Sequence, residues 1–435
     1  TPIAAGLLAA LFVTVIGNLD GAIQLIQSVW GSVVFGEPFV AFDFWRSSRM
    51  LPELEDIDPS VFTFWLSDRQ VLSPDAFCLS GLRTDNTCPD IAHHITEFPF
   101  FSFLFGDLHA HVIVMPFALL VLGLGLAFMV GLKAATKRWV IGVIPFFALA
   151  LGSLWTINSW DYPSYLLLML AMLSIGAHLM VGRANHNERL WTFIGVSTST
   201  VLLSIFFFLP FHLGYETFGT LLEVAKWQTP LTAYLSIHGL FVFLILSFLI
   251  YINRRPLKTI ILILVSLPTR TKKPSTHLPA CSFKIAWEAV VMPLMLILIA
   301  YLAATGYWTA AILTALIGLA AMAVREEFGK LDNRSGYILF PTTIAAFAFL
   351  VGVGVEFVRV GDDIGRMNTL FKFYLEGWIL MALASAIGLW YLVKRAPFHS
   401  IKLAPSRRLL VLGLLGKTFW LTLLAILGIS TLIYT

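Results

Sequence analysis

Long apolar runs dictate what this chain can become. They lie at about 3 to 17, 112 to 132, 139 to 157, 163 to 182, 190 to 211, 234 to 252, 286 to 305, 308 to 324, 336 to 355, 371 to 393 and 409 to 434. A helix needs roughly 20 residues to cross hydrocarbon, and it satisfies its own backbone there. The fold class expected is therefore an all-α polytopic transmembrane helix bundle of about eleven spans. Composition agrees, with 58% hydrophobic and 12% charged residues and a mean hydropathy of +0.85. Such a chain is no soluble globular domain. The first run is slightly short for a span and the chain opens on Thr1 without a charged leader, so the expectation is a longer precursor rather than a secretory signal.

The connectors between runs form two alternating sets. One carries 20 of the 29 lysines and arginines, including Lys133, Arg138, Arg183, Arg189, Arg325, Lys394 and Arg407. The other carries eight: Arg46, Arg49, Arg69, Arg83, Lys226, Arg359, Arg366 and Lys372. Positive charge marks the cytoplasmic side. The expected localisation is integral to the cell (plasma) membrane, with Asp20 to His111 on the external face and no nucleic-acid partner. The chain divides into a first span at 1–17, an external acidic loop region with interfacial helices at 18–110, a first half-bundle at 111–253, a basic cytoplasmic linker at 254–285 and a second half-bundle at 286–435.

Four stretches on the external side carry ionisable residues that need a reason to sit beside a bilayer. Asp20 follows the first span in GNLDG. Glu97, Asp107, His109 and His111 lie in ITEFPFFSFLFGDLHAH, from Ile95 to His111. A strand would present Asp107, His109 and His111 on one face, and a helix would pair Asp107 with His111. Asp161 lies in NSWDYPSY, and Arg366 and Lys372 lie in RMNTLFKFYLEGW. Most acids of the loop region read as a solvated face. Lys372 and Glu376, four apart, read equally well as a pair at the helix mouth. The connector His212 to Pro230 suits a short surface helix.

FDFWRSSR, from Phe42 to Arg49, places Arg46 and Arg49 among aromatics suited to the headgroup level. Paired guanidinium groups suit phosphate, although plain interfacial anchoring would use the same residues. Cys78 and Cys88 bracket a polar loop on the oxidising side and are expected to form a disulfide; two unrelated buried thiols are the other reading. A carboxylate among Asp107, Glu97, Asp20 and Asp161 could act as general base, while Arg46, Arg49, Arg366 or Lys372 stabilises a departing lipid phosphate. Asp107, His109 and His111 could instead hold a divalent metal such as Mg or Mn, although no cofactor is certain from the spacing.

The motifs GNLDG, FDFWRSSR, ITEFPFFSFLFGDLHAH, NSWDYPSY and RMNTLFKFY together resemble the YYY family (Chlor_Arch_YYY) of uncharacterised archaeal and bacterial polytopic membrane proteins. The chain looks like the C-terminal larger part of a member, because members carry further spans before this point. Ala110 stands where the family pattern has proline, as in GDLHPH. The family is similar to GT-C membrane glycosyltransferases, which take sugars from polyprenyl-phosphate carriers at the external face. That likeness implies a GT-C-like fold, a polyprenyl-phosphate partner and an essential acid upstream of Thr1, with Asp107 and Glu97 secondary. The expected function is sugar transfer from a lipid phosphate to an external acceptor. The alternatives are a non-catalytic scaffold or accessory subunit of a larger membrane complex, whose partners would be other membrane subunits, and a transporter. A transporter predicts ionisable residues deep in the spans.

Overall fold

The computed structural model describes residues 2–54, 91–106, 108–131, 137–179, 185–216, 222–258, 290–328, 335–361, 363, 365–395 and 407–434. Each of the eleven apolar runs contains a helix. In order these are α1 (Pro2–Thr14), α2 (Asp20–Trp30) and α3 (Pro99–Leu104), then α4 (Ala110–Ile113) continuing into α5 (Met115–Gly131), α6 (Lys137–Ile157) and α7 (Asp161–Leu179). There follow α8 (His186–Phe207), a short α9 (Leu209–Gly214), α10 (Leu231–Ile252), α11 (Met292–Ala304), α12 (Trp308–Phe328), α13 (Ser335–Phe357), α14 (Met367–Arg395) and α15 (Arg407–Leu432). Among the described residues nine helices are long and apolar enough to cross a membrane. The other two runs appear as α1 and α11, each of 13 residues. The chain is an all-α polytopic membrane bundle.

Local sequence sets the helix ends. Asn185 accepts from the Glu188 amide at 2.9 Å while the Glu188 carboxylate accepts from the Asn185 amide at 3.0 Å, a capping box that starts α8. Pro99 opens α3, where its missing N–H is not needed. Packing then centres on α14, which lies against α1, α10 and α13, while α13 also reaches α5 and α7. Trp378, buried on α14, stacks on Phe98 at 5.4 Å and donates its indole N–H to the Phe12 carbonyl at 3.2 Å. One side chain thus joins the loop region to the bundle.

Two short antiparallel pairs complete the loop face. β1 (Leu51–Leu54) pairs with β2 (Ile91–His94), and β3 (Leu222–Val224) pairs with β4 (Val358–Val360). The second pair differs from the surface helix expected between His212 and Pro230. Leu222, Glu223 and Val224 alternate as Val358, Arg359 and Val360 do, and the register sets Glu223 opposite Arg359 in an ion pair. Alternation of this kind favours a strand once a partner strand lies beside it.

Candidate functional site

Two polar clusters form on the loop face. The first begins at α2, whose sides are inverted relative to a helix on a soluble protein. Asp20, Gln24 and Ser28 are buried, whereas Leu25, Ile26, Val29 and Trp30 are exposed. The inward polar side holds the loop. Asp20 Oδ2 accepts from Gln24 Nε2 at 2.8 Å and from Ser47 Oγ at 3.0 Å, and its Oδ1 lies 3.4 Å from an Arg46 guanidinium nitrogen. The Gln24 amide also clamps the Asp43 backbone, accepting from its N–H at 2.8 Å and donating to its carbonyl at 2.9 Å. Asn18 donates to the Ser47 carbonyl at 2.7 Å. Arg49 meets Glu97 at 3.1 Å, and Ser102 donates to the other Glu97 oxygen at 3.3 Å.

Aromatic rings surround these charges. Trp45 packs edge-on against Phe101 at 5.7 Å and Phe105 at 5.2 Å, while Phe39, Phe42, Phe44 and Phe103 are exposed. The chain end closes the cluster from α15. Tyr434 donates to the Phe44 carbonyl at 3.1 Å. Burial, then the negative charges of Glu97, Asp20 and Asp43, push the Tyr434 phenol pKa well up, so it stays a donor. Gly17 permits this approach, because a Cβ there would meet Tyr434 Cβ at 2.8 Å.

The second cluster surrounds a small cavity between α7, α14 and the start of α4, with room for about one water molecule. His111, Asn158, Asp161, Tyr165, Lys372 and Glu376 supply its polar lining. Asn158 donates to Asp161 Oδ1 at 3.2 Å. Lys372 does not close on Glu376 as spacing alone suggested; its ammonium lies over the Trp160 ring, 4.2 Å from the centroid. Glu376 is 4% exposed, and neither of its carboxylate oxygens has a hydrogen-bond partner among the described residues. Ser164 faces it from α7 without a bond of acceptable geometry. The Tyr165 hydroxyl is likewise buried without a described partner. Burying a polar group without a bond carries a free-energy cost, so both point to something that the site is shaped to receive.

The remaining expected residues fall into separate places. Arg366 is buried at the start of α14, donates to the Val355 carbonyl at 2.7 Å and lies 3.7 Å from Glu356. Glu356 accepts from the Thr229 amide at 2.7 Å, and Tyr374 donates to the Thr229 hydroxyl at 3.0 Å, so this network ties α10, α13 and α14 together. His109 is exposed and His111 buried, their rings nearly parallel at 5.9 Å, with His111 edge-on to Phe371 at 4.5 Å. Asp107, Cys78 and Cys88 lie outside the described residues. Among the described residues no three His, Cys, Asp or Glu side chains are grouped to hold a metal ion.

Residues 1–381 match the family described as uncharacterized membrane protein (DUF2298). The chain belongs to that family. Comparison with curated proteins and with solved structures gives no match. DUF2298 membership agrees with the helical bundle and leaves the chemistry to the site. There the structure joins Asp20 to Arg46 and Glu97 to Arg49, and sets Asp161, Lys372 and His111 around one cavity. It adds Asn158, Tyr165 and Glu376 as cavity residues. Their signal in the sequence was helical spacing: Asn158, Asp161 and Tyr165 follow i, i+3 and i+7, and Lys372 and Glu376 follow i and i+4.

Proposed function

We propose that this chain is a membrane glycosyltransferase of GT-C type, transferring a sugar from a polyprenyl-phosphate donor to an acceptor on the external face of the plasma membrane. The observation that supports this reading is the cavity where Asp161 of one span and Lys372 of another converge beside His111 at the bundle mouth. A transferase of this kind needs a carboxylate to take the acceptor hydroxyl's proton and a cation to stabilise the departing phosphate. In the proposal Asp161 serves as the base and Lys372 as the phosphate partner. Arg46 and Arg49, partly exposed within the aromatic belt, hold the lipid at headgroup depth. The resemblance to the YYY family and, through it, to GT-C enzymes points the same way, as an analogy of fold.

The test is mass spectrometry of lipids co-purified with the protein, followed by turnover of a polyprenyl-phosphate sugar in proteoliposomes. The expected result is a polyprenyl phosphate or its sugar adduct bound to the unaltered protein, reduced about tenfold or more by Lys372→Met. Asp161→Asn is expected to keep the lipid and lose turnover. Recovery of bulk membrane lipids alone, unchanged by either substitution, overturns the reading in favour of an accessory subunit.

A further inference from the structure

We propose that the cavity between α7 and α14 binds one small exchangeable monovalent cation, held between Glu376 and Asp161. The site shares Asp161 and Lys372 with the transferase reading, and its test reads Glu376, which that reading does not use. Three observations converge on it. The first is charge: Glu376 and Asp161 bring two carboxyl groups to the cavity and Lys372 one ammonium, so with both carboxyls ionised one further positive charge makes the set neutral. Inside a bundle an unbalanced charge is strongly disfavoured.

The second is the donor set. Glu376 offers both carboxylate oxygens, which have no described partner. Tyr165 offers a hydroxyl in the same condition, and Asn158 retains a side-chain carbonyl because only its NH2 is engaged by Asp161. Oxygen ligands of this kind suit hard cations, not soft ones. The third is size, since the cavity admits a particle about as large as one water molecule. A divalent ion fits less well, because it would overshoot neutrality beside the Lys372 ammonium.

The other ionisable groups near α14 are accounted for. His111 faces the cavity from α4, and an imidazolium there would be a rival source of the missing charge. On α13 Glu356 turns to Arg366, on α10 His238 packs against Tyr374 and Trp378, and β2, which also packs on α14, carries the buried His94. The described residues of α1 carry no charged side chain.

The experiment uses the whole protein in detergent at constant ionic strength, with sodium chloride replacing choline chloride. Two readouts are taken: the thermal unfolding midpoint, and modification of Glu376 by dicyclohexylcarbodiimide, mapped by peptide mass spectrometry. That reagent modifies protonated carboxyls in apolar surroundings. If sodium binds, the midpoint rises by a few degrees, growing with the logarithm of the sodium concentration above Kd, and modification slows roughly tenfold at a sodium concentration about ten times Kd. Modification of Glu376 irrespective of sodium, at a rate that falls as pH rises, means a protonated carboxyl with no bound ion and overturns the proposal. Glu376→Gln should abolish the midpoint response, and Glu376→Asp should keep a weakened one. A midpoint indifferent to sodium, with Glu376 unmodified at every pH or modified indifferently to both ions, overturns the proposal and assigns the balancing charge to His111. Both readouts are made on the unaltered protein, so failure of a variant to fold cannot hide the answer.

Discussion

The Asp20 cluster and the Asp161–Glu376 cavity share one face of the bundle and treat carboxylates in opposite ways. Asp20 is fully buried yet accepts two hydrogen bonds and faces a guanidinium. Glu376 is almost as buried and has no described hydrogen-bond partner. The first arrangement fastens the loop region to the bundle, and the second leaves bonding capacity unspent. A charge fully used by its own fold is a poor candidate for chemistry on something else. This is why the motif richest in charge, around Asp20, Arg46, Arg49 and Glu97, reads as architecture. The quieter cavity carries the functional proposals.

Substitutions can break or sharpen this contrast. The largest effect is expected at the buried reference pair: Glu356→Ala strands Arg366 in the interior and should cost about 3–5 kcal/mol, measured by reversible unfolding in mixed micelles. Asp20→Ala comes next. It removes the carboxylate that Gln24, Ser47 and Arg46 share, and the expected loss is about 1–3 kcal/mol in the same assay. A loss below roughly 0.5 kcal/mol would mean that the cluster fastens nothing. Tyr434→Phe removes one hydrogen bond at the closing end of the cluster and should cost about 1 kcal/mol.

Glu376→Gln is expected to have the smallest effect, and it is the one that separates the two regions. Replacing a buried carboxylate that lacks described hydrogen bonds with a neutral isostere should leave stability in sodium-free buffer within about 1 kcal/mol, or raise it. A loss as large as that of Asp20→Ala would erase the contrast and make Glu376 a structural residue. The same unfolding assay, run on both variants side by side, decides this.

Much of the bundle was legible before any coordinates. Apolar runs such as 234 to 252 and 336 to 355 became α10 and α13 with ends shifted by a few residues, because a backbone in hydrocarbon has almost no alternative to helix. The 222–224 stretch was misread, since a three-residue strand takes its stability from a partner far along the chain, here at 358–360. Arg366 looked from its position like a free external cation, and the fold instead spends it on Glu356. Lys372 and Glu376 looked like a pair by spacing, but Trp160 from another connector draws the ammonium over its ring.

The sequence by itself determined the membrane class, the helix order and the set of ionisable residues gathered on one face, because these follow from local hydropathy and the alternation of connectors. Only tertiary structure decided which of those charges are engaged. Asp20, Gln24 and Ser47 form a closed network, and Asp161, Tyr165 and Glu376 line a cavity, because α2, α7 and α14 pack at particular rotations. Hydrogen bonding depends on distances of a few ångströms between residues far apart in the chain, such as Tyr434 and Phe44, and one-dimensional patterning carries no record of them.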